Sequence, residues 1–217
     1  MRVWDWPVRV FHWTLLLLVV AAVACVYAGG TWMDWHMRAG YAVLALLAFR
    51  IAWGFAGTRW ARWASFVRGP TAVVGYARTL AVPPHAPSVG HNPLGGYMVV
   101  ALVGVLLLQA GTGLFANDDI ITEGPLAKLV SKGFSDRLTS LHVANQWVIY
   151  TLAALHVLAV AVHRLRFADD LVSPMFTGVK RLPARYAGAG IGGTPHVRAL
   201  AIAAVCAAAV WALVTKV

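Results

Sequence analysis

Five long apolar stretches alternate with shorter polar segments along the chain. They cover approximately residues 10–29, 37–55, 94–115, 141–162 and 197–214. Each approaches the length of about 20 residues that an α-helix needs to cross the hydrocarbon core of a bilayer. Because a backbone in lipid must satisfy its own hydrogen bonds, we predict that these stretches form five transmembrane helices.

The composition also indicates an integral membrane protein. Of the 217 residues, 60% are hydrophobic and 12% are charged, whereas a soluble globular chain is about half apolar and a quarter charged. The net charge of +10 does not indicate nucleic-acid binding, because the basic residues lie in short segments beside the apolar stretches. The two cysteines, Cys25 and Cys206, are too far apart in sequence to form a CxxC metal or redox motif.

The basic residues predict the orientation of the helices, since Lys and Arg accumulate in cytoplasmic connections. The second connection contains four arginines and no acidic residue, and the fourth contains five basic residues against two aspartates. We therefore expect these connections and the amino terminus on the cytoplasmic side, and the carboxyl terminus on the opposite side. Ala22-Val23-Ala24 resembles a signal-peptide cleavage site, but cleavage there would remove His12, so we expect the first helix to be retained.

Four histidines lie in or at the ends of these helices, where an ionisable side chain is costly and therefore a candidate for function. His142 and His156 are separated by about four turns of the fourth helix, so they share one face and lie roughly 21 Å apart along its axis. His12 begins the first helix on the cytoplasmic side, and His36 begins the second on the opposite side. His12 is thus level with His156, and His36 is level with His142.

Two stacked pairs of histidines suggest two haem groups, because facing imidazoles can supply both axial ligands of a haem iron within a helix bundle. With both axial positions filled, electron transfer is the expected chemistry. Polar helix–helix contacts and a proton relay remain alternative interpretations. A structural zinc site is disfavoured, because each level offers two histidines and no thiolate or carboxylate. A haem-free transporter is disfavoured by the absence of an internal sequence repeat.

Six short motifs, taken together, resemble one known family. They are residues 9–13 (RVFHW), 35–36 (WH) with 40–41 (GY), 90–96 (GHNPLGG), 141–142 (LH), 155–157 (LHV) and 175–180 (MFTGVK). In these motifs the chain resembles the bacterial cytochrome b561 family, which includes the b-type cytochrome subunits of nickel–iron hydrogenases. The resemblance extends over approximately residues 3–181.

The resemblance implies an all-α integral membrane protein of the bacterial cytoplasmic (inner) membrane, with a four-helix bundle that holds two b haems, which we assign to residues 1–165. Hydropathy and charge add a cytoplasmic connection over residues 166–196 and a fifth transmembrane helix over residues 197–217. This fifth helix departs from the simplest members of the family, in which it is not one of the haem-binding four. By position in the motifs, His12 and His156 would bind the cytoplasmic-side haem, and His36 and His142 the outer one. The implied function is electron transfer in a respiratory chain, between the quinone pool and a periplasmic partner such as a c-type cytochrome or a dehydrogenase.

Three further residues are candidates for cofactor binding. Arg9 and Arg50 lie near the predicted cytoplasmic face, where guanidinium groups could pair with haem propionates; arginines that snorkel to the headgroups are the alternative. His91 precedes the third helix in a Gly-His-Asn-Pro turn and could contact a propionate or a quinone head group, or simply belong to a helix-start motif. His163, on almost the same face as His156, is a fallback ligand.

Two rival functions remain open. Some members of the resembled family suggest a self-contained superoxide:quinone oxidoreductase, and another reading is the cytochrome b subunit of a nickel–iron hydrogenase. Lys128, Lys132 and Arg137 on the outer side could steer an anion. The acidic residues beside them oppose such steering: Asp118, Asp119, Glu123 and Asp136. Whether the chain is an enzyme by itself or an oxidoreductase component is left open by the sequence.

Overall fold

The computed structural model describes residues 1–81, 86–120 and 122–216. All regular secondary structure within these ranges is helical. The α-helices in them are α1 Trp6–Ala28, α2 Trp32–Ala56, α3 Trp63–Phe66, α4 Pro70–Thr79, α5 Pro93–Gly113, α6 Lys132–Arg166, α7 Ser173–Thr177 and α8 His196–Thr215.

Five of the described helices, α1, α2, α5, α6 and α8, are long and apolar enough to cross a membrane. This confirms the predicted all-α membrane bundle and its additional C-terminal helix. Helix α6 begins at Lys132, well before the apolar stretch that predicted it. Its first turns are polar, and an ion pair of 2.6 Å between Lys132 and Asp136 supports them at the helical i,i+4 spacing. Hydropathy identifies the part of a helix in lipid and misses the part beyond it.

The start of α1 is fixed by a buried carboxylate. Asp5 is the N-cap residue and accepts a hydrogen bond from the Val8 backbone N–H at 3.0 Å. The same side chain accepts bonds from Trp53 Nε1 at 3.0 Å and from the Thr58 hydroxyl at 2.7 Å. Asp5 is only 1% exposed, so its contacts tie the start of α1 to the end of α2.

Helix α2 occupies a central position in the bundle. It packs closely against α1, α5 and α8, while α6 packs closely against α5. Buried apolar side chains of α2, α5 and α6 form a cluster halfway along the bundle: Val43, Leu47, Val103, Leu106 and Ile149. Helix α6 has no comparably extensive packing with α1 or α2, all three of which are described along their whole length. The faces of α6 and of the α1–α2 pair therefore meet through side chains, without close backbone packing.

The segment after α6 folds back over the start of the chain. The Val3 backbone N–H donates to the Gly178 carbonyl at 2.8 Å, and a buried ion pair of 2.7 Å joins Lys180 to Asp169. Gly178 has a φ of +79°, and a Cβ atom there would lie 2.7 Å from the Trp4 carbonyl oxygen, so this close approach requires glycine. The segment thus closes the end of the bundle at which α1 begins and α6 ends.

Candidate functional site

His12 and His156 face each other near the start of α1 and the last third of α6. Their ring centroids lie 6.3 Å apart, with an angle of 54° between the ring planes. Trp13, the next residue on α1, packs edge-on against the His12 ring at a centroid distance of 4.9 Å. His12 Nδ1 is buried and has no hydrogen-bond partner among the described residues.

His36 and His142 form a second pair at the other end of the bundle, from the start of α2 and the first third of α6. Their ring centroids are 6.1 Å apart, and the rings are nearly perpendicular, at 83°. His36 Nδ1 donates to the Ala22 carbonyl at 2.9 Å, and His142 Nδ1 donates to the Gln109 carbonyl at 2.9 Å. Both rings therefore keep Nε2 as the unprotonated nitrogen, which is the atom available to a metal.

The separation of the rings fits one metal ion between each pair. A bond from a metal to an imidazole nitrogen is about 2.0 Å long, and the ring centroid lies about one further bond length behind that nitrogen, so two rings on opposite sides of one ion have centroids roughly 6 Å apart. The observed values are 6.3 and 6.1 Å. The two histidines of each pair come from helices that lack close backbone packing with each other.

The donor set at each level is limited to two imidazoles. In the part of the chain that the structure describes, no group of three or more His, Cys, Asp or Glu side chains could hold a metal ion. A zinc or iron ion held only by protein ligands is therefore not supported. Two imidazoles suffice where a porphyrin supplies the other four ligands, so the residues present fit haem.

Arg50 supplies a buried positive charge beside the His12–His156 end of the bundle. It is only 2% exposed, and its guanidinium carbon lies 4.3 Å from the centre of the Trp63 ring. One of its nitrogens, Nη1, is buried without a hydrogen-bond partner in the described residues. A snorkelling arginine would reach the headgroups, so burial argues against that alternative for Arg50. An open donor on a buried cation suits a carboxylate ligand.

Arg9 lies at the same end, one turn of α1 before His12. Its Nη1 donates to the Phe176 carbonyl, so the segment after α6 holds it in place. Its Nε is buried and finds no acceptor among the described residues. Arg9 therefore also has a donor that the described protein atoms do not use.

His91 lies between the rings of Trp4 and Phe66, at centroid distances of 4.7 and 4.6 Å. Burial, and secondarily the charge of Arg50, lowers the pKa of His91 to about 3, so the ring is neutral at physiological pH. Its Nδ1 is buried and unpaired within the described ranges. The helix-start alternative is also realised, because the Asn92 side chain caps α5 by accepting from the Gly95 N–H at 2.7 Å.

His163 is engaged elsewhere and does not pair with His12. Its Nδ1 donates to the Ala159 carbonyl at 2.9 Å. Its Nε2 lies 3.2 Å from both the Tyr76 hydroxyl and the Asn92 amide nitrogen. The structure thus places His156, and not the fallback candidate, opposite His12.

Sequence reasoning missed the polar side chains around His142. Asn145, one turn further along α6, is 4% exposed and bonds to Gln109 on α5. An amide inside an apolar stretch is itself a signal of a partner. The partner could not be named from the sequence, because it depends on how α5 is rotated against α6.

A sequence profile of the prokaryotic cytochrome b561 family matches residues 3–178. The chain belongs to this family. The prediction made from the six motifs is thereby confirmed. The chain is accordingly a multi-pass membrane cytochrome b that binds b-type haem and takes part in electron transfer.

Two curated relatives are similar to the chain over most of its length. Both bear the name "Probable Ni/Fe-hydrogenase 1 B-type cytochrome subunit", one from Escherichia coli strain K12 and one from Escherichia coli O157:H7. Each is 25% identical over 214 residues, which cover 82% of this chain and 89% of the relative. No solved structure matches the chain.

Proposed function

We propose that this cytochrome carries electrons from one face of the membrane to the other through two b haems, each held by two histidines. The observation that carries the proposal is the presence of two histidine pairs, with ring centroids 6.3 and 6.1 Å apart, at opposite ends of one bundle. His142 and His156 both belong to α6 and lie roughly 21 Å apart along it. One helix therefore contributes a ligand at each level of a transmembrane route.

His12 and His156 are assigned to the haem on the cytoplasmic side, and His36 and His142 to the outer haem. When bound, b haems supply reversible one-electron transfer, with a potential set by the axial ligands and their surroundings. With both histidines of a pair bound to one haem, no coordination position would remain for dioxygen or a substrate. The histidines therefore favour electron transfer over chemistry at the metal.

Arg50, Arg9 and His91 are proposed to bind the propionates of the cytoplasmic-side haem. Support comes from the donors that they leave unpaired in the described structure, namely Arg50 Nη1, Arg9 Nε and His91 Nδ1. A guanidinium bound to a carboxylate in a buried site forms a strong charge-assisted hydrogen bond. These residues would orient the porphyrin and compensate its negative charge. A quinone head group is the alternative partner for His91.

The electron partners are proposed from the family and from charge. Quinone is the proposed membrane-soluble partner, and the outer partner is a periplasmic redox protein such as a c-type cytochrome or a dehydrogenase. The name of the curated relatives makes a nickel–iron hydrogenase one candidate. The proposed location is the bacterial inner membrane, with the amino terminus in the cytoplasm, because the arginine-rich connections obey the positive-inside rule in that orientation.

The structure gives little support to the rival superoxide:quinone oxidoreductase. Lys132 contacts both Asp119 and Asp136, and Lys128 lies 3.8 Å from Glu123. These pairs neutralise two of the three basic residues that would attract an anion. A protein partner on the outer face is therefore better supported than a small anionic substrate.

Proteoliposomes with trapped ferricyanide test the transmembrane route. Dithionite is added outside, and the loss of ferricyanide absorbance inside is followed with the intact protein and with His142→Ala. The intact protein should accelerate the loss well above that of empty liposomes, whereas the variant should not. Equal rates for empty and loaded liposomes, with haem present in the protein, would contradict the proposal.

A further inference from the structure

Two amide side chains bridge α5 and α6 inside the membrane-spanning part of the bundle. Asn145 Nδ2 on α6 donates to Gln109 Oε1 on α5 at 2.8 Å and to the Val105 carbonyl at 3.0 Å. Asn145 is only 4% exposed. A buried amide in a transmembrane helix is costly unless it is bonded, so this bridge fixes the rotation and register of α6 against α5.

The bridge lies one turn from His142. Gln109, which accepts from the Asn145 amide through its side chain, also accepts from His142 Nδ1 through its backbone carbonyl, at 2.9 Å. Thr112 adds a hydroxyl 3.3 Å from the same ring nitrogen. Gly113, the last residue of α5, lets the His142 ring approach, since a Cβ atom there would lie 2.9 Å from its Cε1. One turn of α5, from residue 109 to residue 113, thus lies against the His142 imidazole.

The His12–His156 pair lacks such support. His12 Nδ1 is buried and has no hydrogen-bond partner in the described part of the chain. A carbonyl that accepts from Nδ1–H fixes the tautomer of an imidazole and makes its other nitrogen more basic. The two pairs therefore differ in what sets the basicity of their imidazoles. Through that basicity a protein adjusts the reduction potential of a metal that the imidazoles bind.

We propose that Asn145 is a positioning residue that, with Gln109, holds the α5 carbonyl against His142 Nδ1 and so lowers the potential of one of the two haems. This inference rests on the proposed bis-histidine ligation. A more basic axial imidazole favours the oxidised iron. Loosening the carbonyl contact should therefore raise the midpoint potential of the haem bound by His142 and leave the other unchanged.

Spectroscopic redox titration of purified Asn145→Leu tests the proposal, because leucine removes the hydrogen-bond donor and keeps the branched shape of the side chain. We expect a positive shift in the midpoint potential of one haem, with two haems retained. A tenfold change in the ratio of affinities for the two iron oxidation states corresponds to about 59 mV for a one-electron couple. Thr151→Val is the matched control, because among the described residues this exposed threonine on α6 bonds only within its own helix, to the Trp147 carbonyl. It should not shift either potential.

Gln109→Leu provides a second variant in case Asn145→Leu does not assemble. It leaves Asn145 bonded to the Val105 carbonyl, so we expect a smaller shift of the same sign in the same haem. Unchanged potentials in both variants, or equal shifts of both haems, would overturn the inference. If the unmodified protein still contained two haems, the proposed function would stand. A haem-free unmodified protein would instead reject the proposed function itself.

Discussion

Each proposed iron ligand is one of two imidazoles that approach each other from different helices. The side chains behind those imidazoles differ between the levels. His36 and His142 donate through Nδ1 to backbone carbonyls. At the His12–His156 level lie buried cations and a His91 nitrogen that has no partner among the described residues. At the scale of single residues, the two sites therefore have the same type of proposed ligand, a pair of histidines, but differ in the side chains around it.

Removing one ligand should remove one haem. In His142→Ala we expect the haem content to fall from about two to about one per polypeptide, with loss of the outer haem, and in His156→Ala we expect loss of the cytoplasmic-side haem. The two variants should therefore leave spectrally different remaining haems, measured by reduced-minus-oxidised difference spectra. Identical remaining spectra in two folded variants would contradict the assignment by level.

Arg50→Gln tests the role of the buried cation. A positive charge near a haem favours its reduced form, so the variant should lower the midpoint potential of the cytoplasmic-side haem, by about 59 mV for each tenfold change in relative affinity. Arg59→Gln is the control, because Arg59 is exposed and lies over Trp60 at 4.8 Å. Redox titration gives both values, and an equal response to the two substitutions would reject a specific role for Arg50.

At the scale of helices, α5 packs against α6 and closely supports the proposed ligand His142. Gly113 leaves room for the His142 ring, because a Cβ atom would lie within 2.9 Å of that ring. Gly111, two residues earlier on α5, has open space where its Cβ atom would be. The two glycines therefore form a matched pair for testing whether the close approach of α5 matters.

Gly113→Ala should displace the His142 ring and weaken binding of the outer haem, whereas Gly111→Ala should not. Changes in residues that support a metal ligand reduce affinity by about 10- to 100-fold. Haem content after detergent purification and the low-spin EPR signals measure the effect. Full haem content and unchanged signals in Gly113→Ala would show that the ring tolerates the shift.

The helices themselves could be predicted from the sequence because apolar length is a strong signal of a membrane span. The pairing of His12 with His156 and of His36 with His142 followed from helical rise and alternating direction, and the structure brings these rings together. The polar first turns of α6 and the short helices α3 and α4 were missed, since hydropathy does not register them. The Asn145 bridge was missed because contacts between helices depend on rotation angles that one sequence does not specify.

On the scale of the whole molecule, the bundle provides both a packed core and the ligands of the proposed electron route. Helix α2 packs against α1, α5 and α8 and forms the centre of the fold, while α6 carries a histidine of each pair. The segment after α6 closes one end over Val3 and Trp4 through their N–H bonds to the Gly178 carbonyl. Packing is thus centred on α2, while α6 carries a proposed ligand at each level of the electron route and α1 and α2 carry the opposing ones.

The most direct measurement is the haem content of the detergent-purified protein, combined with a dithionite-reduced minus oxidised spectrum. We expect about two b haems per polypeptide, both low-spin and six-coordinate, because each level presents two imidazoles. Expression with ample haem supply ensures that a low value reflects the protein. A content of one haem or none, in protein that remains folded, would contradict the assignment of His12, His36, His142 and His156 as two pairs of ligands.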